Sequence, residues 1–235
     1  MNILAIDTSN QVLGVAIAKD NQLLGEIKTN LAKNHSVRLM PAIDQLMNEV
    51  SMKPEELDKI VVAKGPGSYT GVRIGLATAK SMAWALRVPV IGVSSLEVLA
   101  YQGRFFNGLI CPFFDARRGL VFSAAYEWGA EQPVEKYKET NMLMTDFLDA
   151  ISEEEKPVLF LSPDIELYRD KIKEKLGDRA IIPAFSFHVA DASHLIVAGT
   201  KKQVESTHAL TPNYLRLAEA EAKWIQQQKD QQSNE

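Results

Sequence analysis

The chain has 235 residues, of which 46% are hydrophobic and 24% are charged, and its formal net charge at pH 7 is −4. This composition is typical of a soluble globular protein with one or two domains. The negative net charge excludes a surface that is basic throughout, so contact with nucleic acid would need a local patch or a partner.

The amino-terminal residues are not expected to form an export signal. Their apolar run lacks basic flanks and reaches Asp7 early, and no apolar run in the chain reaches the roughly 18 residues of a membrane span. The single cysteine, Cys111, has no mate for a disulfide, which favours a small buried hydrophobic residue in a reducing compartment. We therefore expect a soluble, cytoplasmic protein.

Three strands in series open the chain, followed by alternating helices and strands. Residues 2–6, 12–18 and 22–29 are short apolar or alternating runs separated by polar turns. Residues 34–50 predict an amphipathic helix, because apolar residues recur at steps of three and four. A β-branched run at residues 60–63 then predicts another strand.

A glycine-rich turn joins that strand to a long helix over residues 70–86. The turn runs from Gly65 to Gly71, and Ser68 or Thr70 is expected to cap the helix. Backbone N–H groups at such a helix start can hold a phosphate, although the Gly-Lys-Ser/Thr ending of a P-loop is missing. The turn therefore predicts a candidate anion site.

The end of the first strand offers a second part of that site. A carboxylate and two hydroxyls there could meet a phosphate or its metal, but a turn that satisfies its own backbone is the favoured interpretation. The candidate contacts for a vestigial nucleotide or phosphate are Asp7, Thr8, Ser9, Gly65, Gly67, Ser68, Thr70 and Gly71.

The helix over residues 70–86 also carries a stripe of small residues. Gly71, Gly75, Thr78 or Ala79, and Met82 recur at helical spacing. Two interpretations remain open. The stripe packs on the sheet of its own chain, or it lets the backbone of a partner come close.

A strand at residues 90–93 and a helix beginning with Ser94 complete the first half. Glu97 follows Ser94 by three residues, as in a capping box. The element order predicts half of a ribonuclease-H-like fold with a mixed sheet. A domain boundary is expected near residue 102, which gives domains over 1–102 and 103–235.

The second half begins with two strands around Arg117 and Arg118, a pair that is either a solvated hairpin tip or an anion contact. Residues 128–141 are expected to be a loop, and His188 and His194 are expected to be surface or capping residues. The elements expected after the loop are a helix near 145–152, a strand at 157–161, a helix over 164–176, a strand at 180–182 and a helix over 190–201.

Four stretches together resemble the TsaB family, formerly called YeaZ, of the bacterial machinery that makes threonylcarbamoyladenosine in tRNA. They are Ile6 to Ser9, Gly65 to Gly75, Phe114 to Arg118, and Pro212 to Arg216, and the resemblance runs from residue 1 to about residue 218. It implies an α/β protein with the actin-like/Hsp70-like ATPase (ribonuclease-H-like) fold. Two domains with mixed sheets flanked by helices are expected, and the terminal helix is expected to pack back on the first domain.

The resemblance also implies a function. This chain would be a non-catalytic dimerisation subunit that binds TsaD, the paralogue that modifies adenosine 37 of tRNAs reading codons that start with adenine. TsaE, which binds ATP, would join the complex, tRNA would be met only through the complex, and the chain would form a homodimer without TsaD. No membrane contact is implied.

The family's contact with TsaD corresponds to the helices over 34–50 and 70–86, which favours the partner interpretation of the small-residue stripe. The expected interface residues are His35, Val37, Met40, Ile43, Met47, Gly71, Ile74, Gly75, Thr78, Ala79 and Met82.

The sequence departs from TsaD at the catalytic metal. TsaD carries a His-x-x-x-His pair there, and the matching positions here are Ser95 and Leu99, which do not suit a metal ion. We therefore expect no metal, no cofactor beyond weak nucleotide contact, and no catalysis. The alternative is an actin-like ATPase or a peptidase that acts on its own partner. The sequence leaves two roles open, contact with tRNA or a structural role, for Arg73, Arg117, Arg118 and Arg216.

Overall fold

Two five-stranded mixed sheets form the framework of the protein. The computed structural model describes residues 1–31, 34–204 and 206–215. The elements are β1 (Asn2–Asp7), β2 (Val12–Lys19), β3 (Gln22–Asn30), α1 (His35–Glu49), β4 (Lys59–Ala63), α2 (Tyr69–Leu86), β5 (Val90–Val93), α3 (Ser95–Ala100), β6 (Leu109–Asp115), β7 (Leu120–Trp128), β8 (Pro133–Leu143), α4 (Met144–Ser152), β9 (Val158–Leu161), α5 (Arg169–Leu176), β10 (Ala180–Ile181) and α6 (Ala192–Thr200).

The first sheet has the strand order β3-β2-β1-β4-β5, and the second has the order β10-β9-β6-β7-β8. In each sheet, an antiparallel meander of three strands is extended by parallel strands: β4 and β5 in the first, β9 and β10 in the second. This arrangement confirms the expected α/β class with two mixed sheets flanked by helices. The strands β1 and β4 at the centre of the first sheet are almost wholly buried, as their continuous apolar runs predict.

Helices cover both faces of the first sheet. α1 and α2 pack on one face, where Leu39, Ile43 and Leu76 lie in the same core as strand residues of β1 and β4. α6 packs on the opposite face, although it follows the second sheet in the chain. The boundary at residue 102 therefore stays a prediction, and the expected terminal helix lies outside the described residues.

The expected loop at residues 128–141 is wrong, because most of it belongs to the strand β8. β8 lies at the edge of the second sheet, paired with β7 alone, and many of its side chains face solvent. An edge strand that is largely exposed needs no regular apolar alternation, so its polar sequence resembles that of a loop. The expected helix over 164–176 likewise begins late: a short 3₁₀ turn at Ile165–Leu167 precedes α5.

His188 and His194 are buried, so of the two roles expected for them, surface or capping, the surface role is wrong. The His188 Nδ1 accepts a hydrogen bond from the Ser162 backbone N–H at 3.2 Å, and its Nε2 lies 3.1 Å from the Pro183 carbonyl oxygen. The His194 ring stacks on Tyr101 with 5.6 Å between ring centres. Histidine spacing alone could not show this, because the burial comes from the packing of α6 and of the 3₁₀ turn at Phe185–His188 on the rest of the protein.

Lowering the pH from 7 toward 4 is expected to weaken the fold through these two histidines. Burial lowers the pKa of both below the ordinary 6.5, that of His194 to about 4. The unfolded chain therefore binds these protons first, so the stabilisation present above pH 6.5 is lost as the pH falls through the folded-state pKa. Asp7, Glu139 and Asp164 act in the opposite direction, because burial raises their pKa values.

The midpoint of urea unfolding, measured between pH 7 and pH 4 for the wild type and His194→Gln, checks this expectation. The wild type should lose more stability than the variant across that range. His208→Gln, at an exposed position, should follow the wild type. Equal pH profiles for the wild type and His194→Gln would contradict the assignment to His194.

Several expected interface residues are buried in the core of their own chain, which corrects their assignment to a contact surface. They are Ile43, Met47, Gly71, Gly75 and Ala79. A Cβ atom at Gly75 would lie 2.5 Å from the Thr8 Oγ1, and one at Gly71 would lie 2.2 Å from the Thr8 carbonyl oxygen. The small-residue stripe thus lets α2 approach the end of β1, which is the first of the two interpretations. The other expected interface residues remain exposed or half-buried: His35, Val37, Met40, Ile74, Thr78 and Met82.

Within the described residues, no helix is both long enough and apolar enough to span a membrane.

Candidate functional site

The glycine-rich turn and the turn after β1 are packed directly against each other. The Ser68 backbone N–H donates a hydrogen bond to the Ser9 carbonyl oxygen at 2.7 Å, and the Thr8 hydroxyl donates to the Gly71 carbonyl oxygen at 2.7 Å. A Cβ atom at Gly67 would lie 2.1 Å from that Ser9 oxygen, so only glycine permits this approach. The two turns that contain the candidate anion contacts therefore lie in direct contact.

The polar groups of the two turns are largely engaged with one another. Asp7 accepts hydrogen bonds from the Ser9 backbone N–H at 2.8 Å and from the Ser9 hydroxyl at 2.7 Å, which is the self-satisfied turn favoured from sequence. Burial raises the pKa of the Asp7 carboxyl. Ser68 caps α2, because its hydroxyl oxygen accepts from the Gly71 N–H at 3.2 Å. The N–H groups of Ser9, Ser68 and Gly71 are therefore used inside the protein.

A cleft of about 780 Å³ opens between this region and the second sheet. One wall is the start of α2 at residues 68–70, and the other includes the β6–β7 turn with Arg117 and Arg118. Both arginines are exposed and adopt left-handed backbone angles, with φ of 67° and 57°, which turn the chain tightly at the rim. The His35 Nε2 lies 2.7 Å from the Asn10 carbonyl oxygen at the same cleft.

The other two candidate arginines are placed differently. The Arg73 guanidinium lies 4.8 Å from the centre of the Tyr69 ring and donates to the Tyr69 hydroxyl. Arg216 lies outside the described residues. The structure therefore brings Arg117 and Arg118 to the cleft but keeps Arg73 on the outer side of α2.

Ser95 and Leu99, at the positions where a metal-binding pair was considered, are both buried in α3. The Ser95 hydroxyl has no hydrogen-bond partner within the described part of the chain. Among the described residues, no three side chains of His, Cys, Asp or Glu are grouped so that they could hold a metal ion. A single hydroxyl and an apolar side chain do not form a metal site.

The outer face of α1 and α2 carries exposed apolar side chains, which we call the helix surface: Val37, Met40 and Trp84. Their exposed fractions are 66%, 50% and 73%. α1 and α2 pack side by side, so these residues belong to the helix layer that covers one face of the first sheet. Val37 and Met40 were among the interface residues expected from sequence, and Trp84 was not. The missed signal is that Trp84 lies off the stripe of Gly71, Gly75 and Ala79 that packs on the sheet.

Comparisons with known proteins agree with this architecture. The model of the family TsaD, described as tRNA N6-adenosine threonylcarbamoyltransferase, matches residues 22–224. The Bacillus subtilis (strain 168) tRNA threonylcarbamoyladenosine biosynthesis protein TsaB is 48% identical over 229 residues, which cover 97% of this chain and 100% of that protein. The Escherichia coli (strain K12) protein of the same name is 32% identical over 129 residues, covering 54% of this chain and 55% of that protein.

Among solved structures, YeaZ from Pseudomonas aeruginosa matches with a TM-score of 0.79. The match has 23% sequence identity and covers 91% of this chain and 99% of that one. At this identity the likeness establishes the fold, which is the same arrangement of two mixed sheets.

Proposed function

The chain belongs to the TsaB family of threonylcarbamoyladenosine biosynthesis proteins, and we propose that it is the non-catalytic dimerisation subunit of the threonylcarbamoyltransferase complex. In this role it binds TsaD directly and supports the transfer of the threonylcarbamoyl group to tRNA. TsaE joins the complex with ATP, and this chain contacts tRNA only as part of the complex. In the absence of TsaD, the chain pairs with a second copy of itself.

The observation that carries the proposal is the helix surface. Val37, Met40 and Trp84 place three large apolar side chains in solvent on one pair of packed helices. Tryptophan and methionine are enriched at protein interfaces, and tryptophan often supplies a dominant part of the binding free energy. Small exposed residues on α2, Ala77 and Ser81, leave room for a partner helix beside the tryptophan. The helix surface therefore fits a helical protein partner.

We propose that the chain is catalytically silent because the positions for a metal pair and for nucleotide phosphates lack suitable groups. Ser95 and Leu99 stand where a metal-binding histidine pair would be needed, and neither is a suitable primary ligand. Backbone donors that could meet the phosphates of a nucleotide are already used at the two turns, because the Ser68 N–H donates to the Ser9 carbonyl oxygen and the Gly71 N–H donates to the Ser68 hydroxyl oxygen. Any nucleotide contact at these turns would therefore be weak.

A peptidase would need a nucleophile, and two serines near the glycine-rich turn, Ser68 and Ser94, have structural roles instead. The Ser68 hydroxyl caps α2, and the Ser94 hydroxyl caps α3 by accepting from the Leu96 and Glu97 N–H groups at 3.2 and 3.4 Å. A catalytic serine needs a hydroxyl free to give its proton to a base. These contacts favour the binding role over the peptidase alternative.

Mass determination by light scattering tests the proposal on the isolated chain, on TsaD and on their mixture. We expect the isolated chain at twice its mass of 26.1 kDa and the mixture at the mass of a one-to-one complex with TsaD. The isolated chain should release no phosphate from ATP above a blank. A monomer that ignores TsaD, or an ATPase activity that disappears in Asp7→Ala, would reject the proposal.

A further inference from the structure

The segment of residues 206–215 contacts both sheets, and we call it the clasp. Its first half is fixed to the first sheet. Leu210 is buried in the core beneath α2, and the Lys80 Nζ of that helix donates to the Leu210 carbonyl oxygen at 2.8 Å and to the His208 carbonyl oxygen at 3.3 Å. A Cβ atom at Gly92 of β5 would lie 2.5 Å from the Leu210 Cδ1, which shows how closely the clasp packs on this sheet.

Asn213 joins the clasp to both sheets at once. Its backbone N–H donates to the carbonyl oxygen of Lys64, directly after β4, at 2.7 Å. Its side-chain Nδ2 donates to the Glu139 Oε2 of β8 at 2.6 Å. Since β4 lies in the first sheet and β8 in the second, one residue bridges the two halves of the protein.

Tyr214 ties the same point to the beginning of α2. Its ring stacks on that of Tyr69, the first residue of the helix, with 5.2 Å between ring centres and 23° between ring planes. Aromatic pairs in this geometry stabilise a contact by about 0.5–1.5 kcal/mol beyond the area they bury. The clasp therefore holds α2 at two points: Tyr214 contacts Tyr69 at the start of the helix, and two carbonyl groups of the clasp bind Lys80 further along it.

The acceptor on β8 is itself fixed. The Glu139 Oε1 accepts a hydrogen bond from the Tyr126 hydroxyl of β7 at 3.2 Å, and Ser94 also bonds to the Glu139 carboxyl. A hydrogen bond to a partly buried carboxylate is stronger than one between neutral groups, and leaving the carboxylate without it is costly. The Asn213–Glu139 contact therefore resists separation of the two halves.

We propose that residues 206–215 act as a clasp that makes the amino-terminal half of α2 and β8 one cooperative unit, and that its release opens the cleft of about 780 Å³. Asn213 and Tyr214 line that cleft, together with Arg117 and Arg118 on the opposite wall. When Asn213 leaves Glu139, the second sheet loses a direct tie to the first at the mouth of the cleft. This inference rests on the contacts of the clasp and does not depend on the proposed function.

Hydrogen exchange followed by mass spectrometry tests the clasp in the isolated protein. Asn213→Ala keeps the backbone N–H but removes the side-chain donor to Glu139. We expect exchange to become about tenfold faster in peptides of both β8 and residues 69–74, as for loss of one charge-assisted hydrogen bond. α4 should keep its wild-type rate. Asn48→Ala, which removes an exposed amide on α1, should change none of these peptides.

A distance measurement tests the opening itself. Spin labels at Asp44→Cys on α1 and Glu174→Cys on α5 report the separation of the two halves, and both positions are exposed. Cys111 should not react, because it is buried and burial raises the pKa of its thiol. Asn213→Ala should give a longer and broader distance distribution than the labelled wild type.

Several results would overturn the proposal. The clasp does not couple the two elements if hydrogen exchange accelerates only in β8, only in residues 69–74, or to the same extent in α4. An unchanged distance distribution would mean that it does not hold the cleft. If Asn213→Ala does not fold, Glu139→Gln, which keeps the side-chain size and removes the charge, must show the same pattern with a smaller amplitude, and its absence would reject the proposal.

Discussion

Replacing Trp84 by alanine is expected to weaken binding to TsaD by about 30-fold or more, and Met40→Glu is expected to abolish it. Trp84 is 73% exposed at the end of α2, so its truncation removes a large apolar contact without touching the core of the free chain. Interface tryptophans at such positions typically contribute more than about 2 kcal/mol to binding. Met40→Glu places a charge in the same contact, where it would be desolvated without a partner.

The measurement is the dissociation constant of each variant for TsaD, obtained by calorimetry, together with the unfolding midpoint of the free variant. The free energies of unfolding should stay within about 0.5 kcal/mol of the wild type, because both side chains lie at the surface. Phe185→Ala is the matched control. Phe185 is 88% exposed and belongs to the 3₁₀ turn at Phe185–His188, outside α1 and α2, so its loss should leave the affinity unchanged.

The two results together distinguish a specific binding surface from nonspecific hydrophobic association. Wild-type affinity in Trp84→Ala and Met40→Glu would remove the helix surface from the proposed function. A loss in Phe185→Ala equal to that in Trp84→Ala would place the contact elsewhere. The same variants should also lower the mass of the isolated chain from dimer to monomer, since the proposal assigns one surface to both partners.

The fold could be predicted from sequence where a strand is buried on both faces. β1, β4 and β5 are short apolar runs between turn residues, and these runs gave the class and the order of the first half. β8 could not be found in this way, because an edge strand with exposed side chains has a polar sequence. The bridge from Asn213 to Glu139 was hidden for the same reason, since its acceptor lies in the segment expected to be a loop.

The candidate site shows a similar division. The meeting of the Asp7 and Gly65 turns follows from strand order, because β1 and β4 are parallel neighbours that end at the same edge of the sheet. How closely the two turns pack cannot be predicted from strand order. It depends on distances such as that from a Cβ position at Gly67 to the Ser9 carbonyl oxygen. Spacing shows that Gly71, Gly75 and Ala79 share one face of α2. Only the packing shows that this face turns inward.

That inward face gives a sharp expectation for Gly75→Arg: the free chain should unfold or lose most of its stability. A Cβ atom there would lie 2.5 Å from the Thr8 Oγ1 and 3.7 Å from the Val62 Cγ2, so even alanine requires a shift. Arginine adds a long charged side chain to the core between α2 and β1, and burying an unpaired charge costs about 3–5 kcal/mol in addition to overpacking. This cost is comparable to the whole stability of many domains.

Ala77→Arg is the matched control, since Ala77 lies two residues further along α2 and is exposed. Urea unfolding of the isolated chain should leave the midpoint of Ala77→Arg near that of the wild type, while Gly75→Arg shows no cooperative transition or a strongly lowered midpoint. Only Ala77→Arg can then report on binding, and a charged arginine beside Trp84 should weaken it. A well-folded Gly75→Arg that fails to bind TsaD would instead return the small-residue stripe to the interface, because a core position cannot accept arginine without loss of stability.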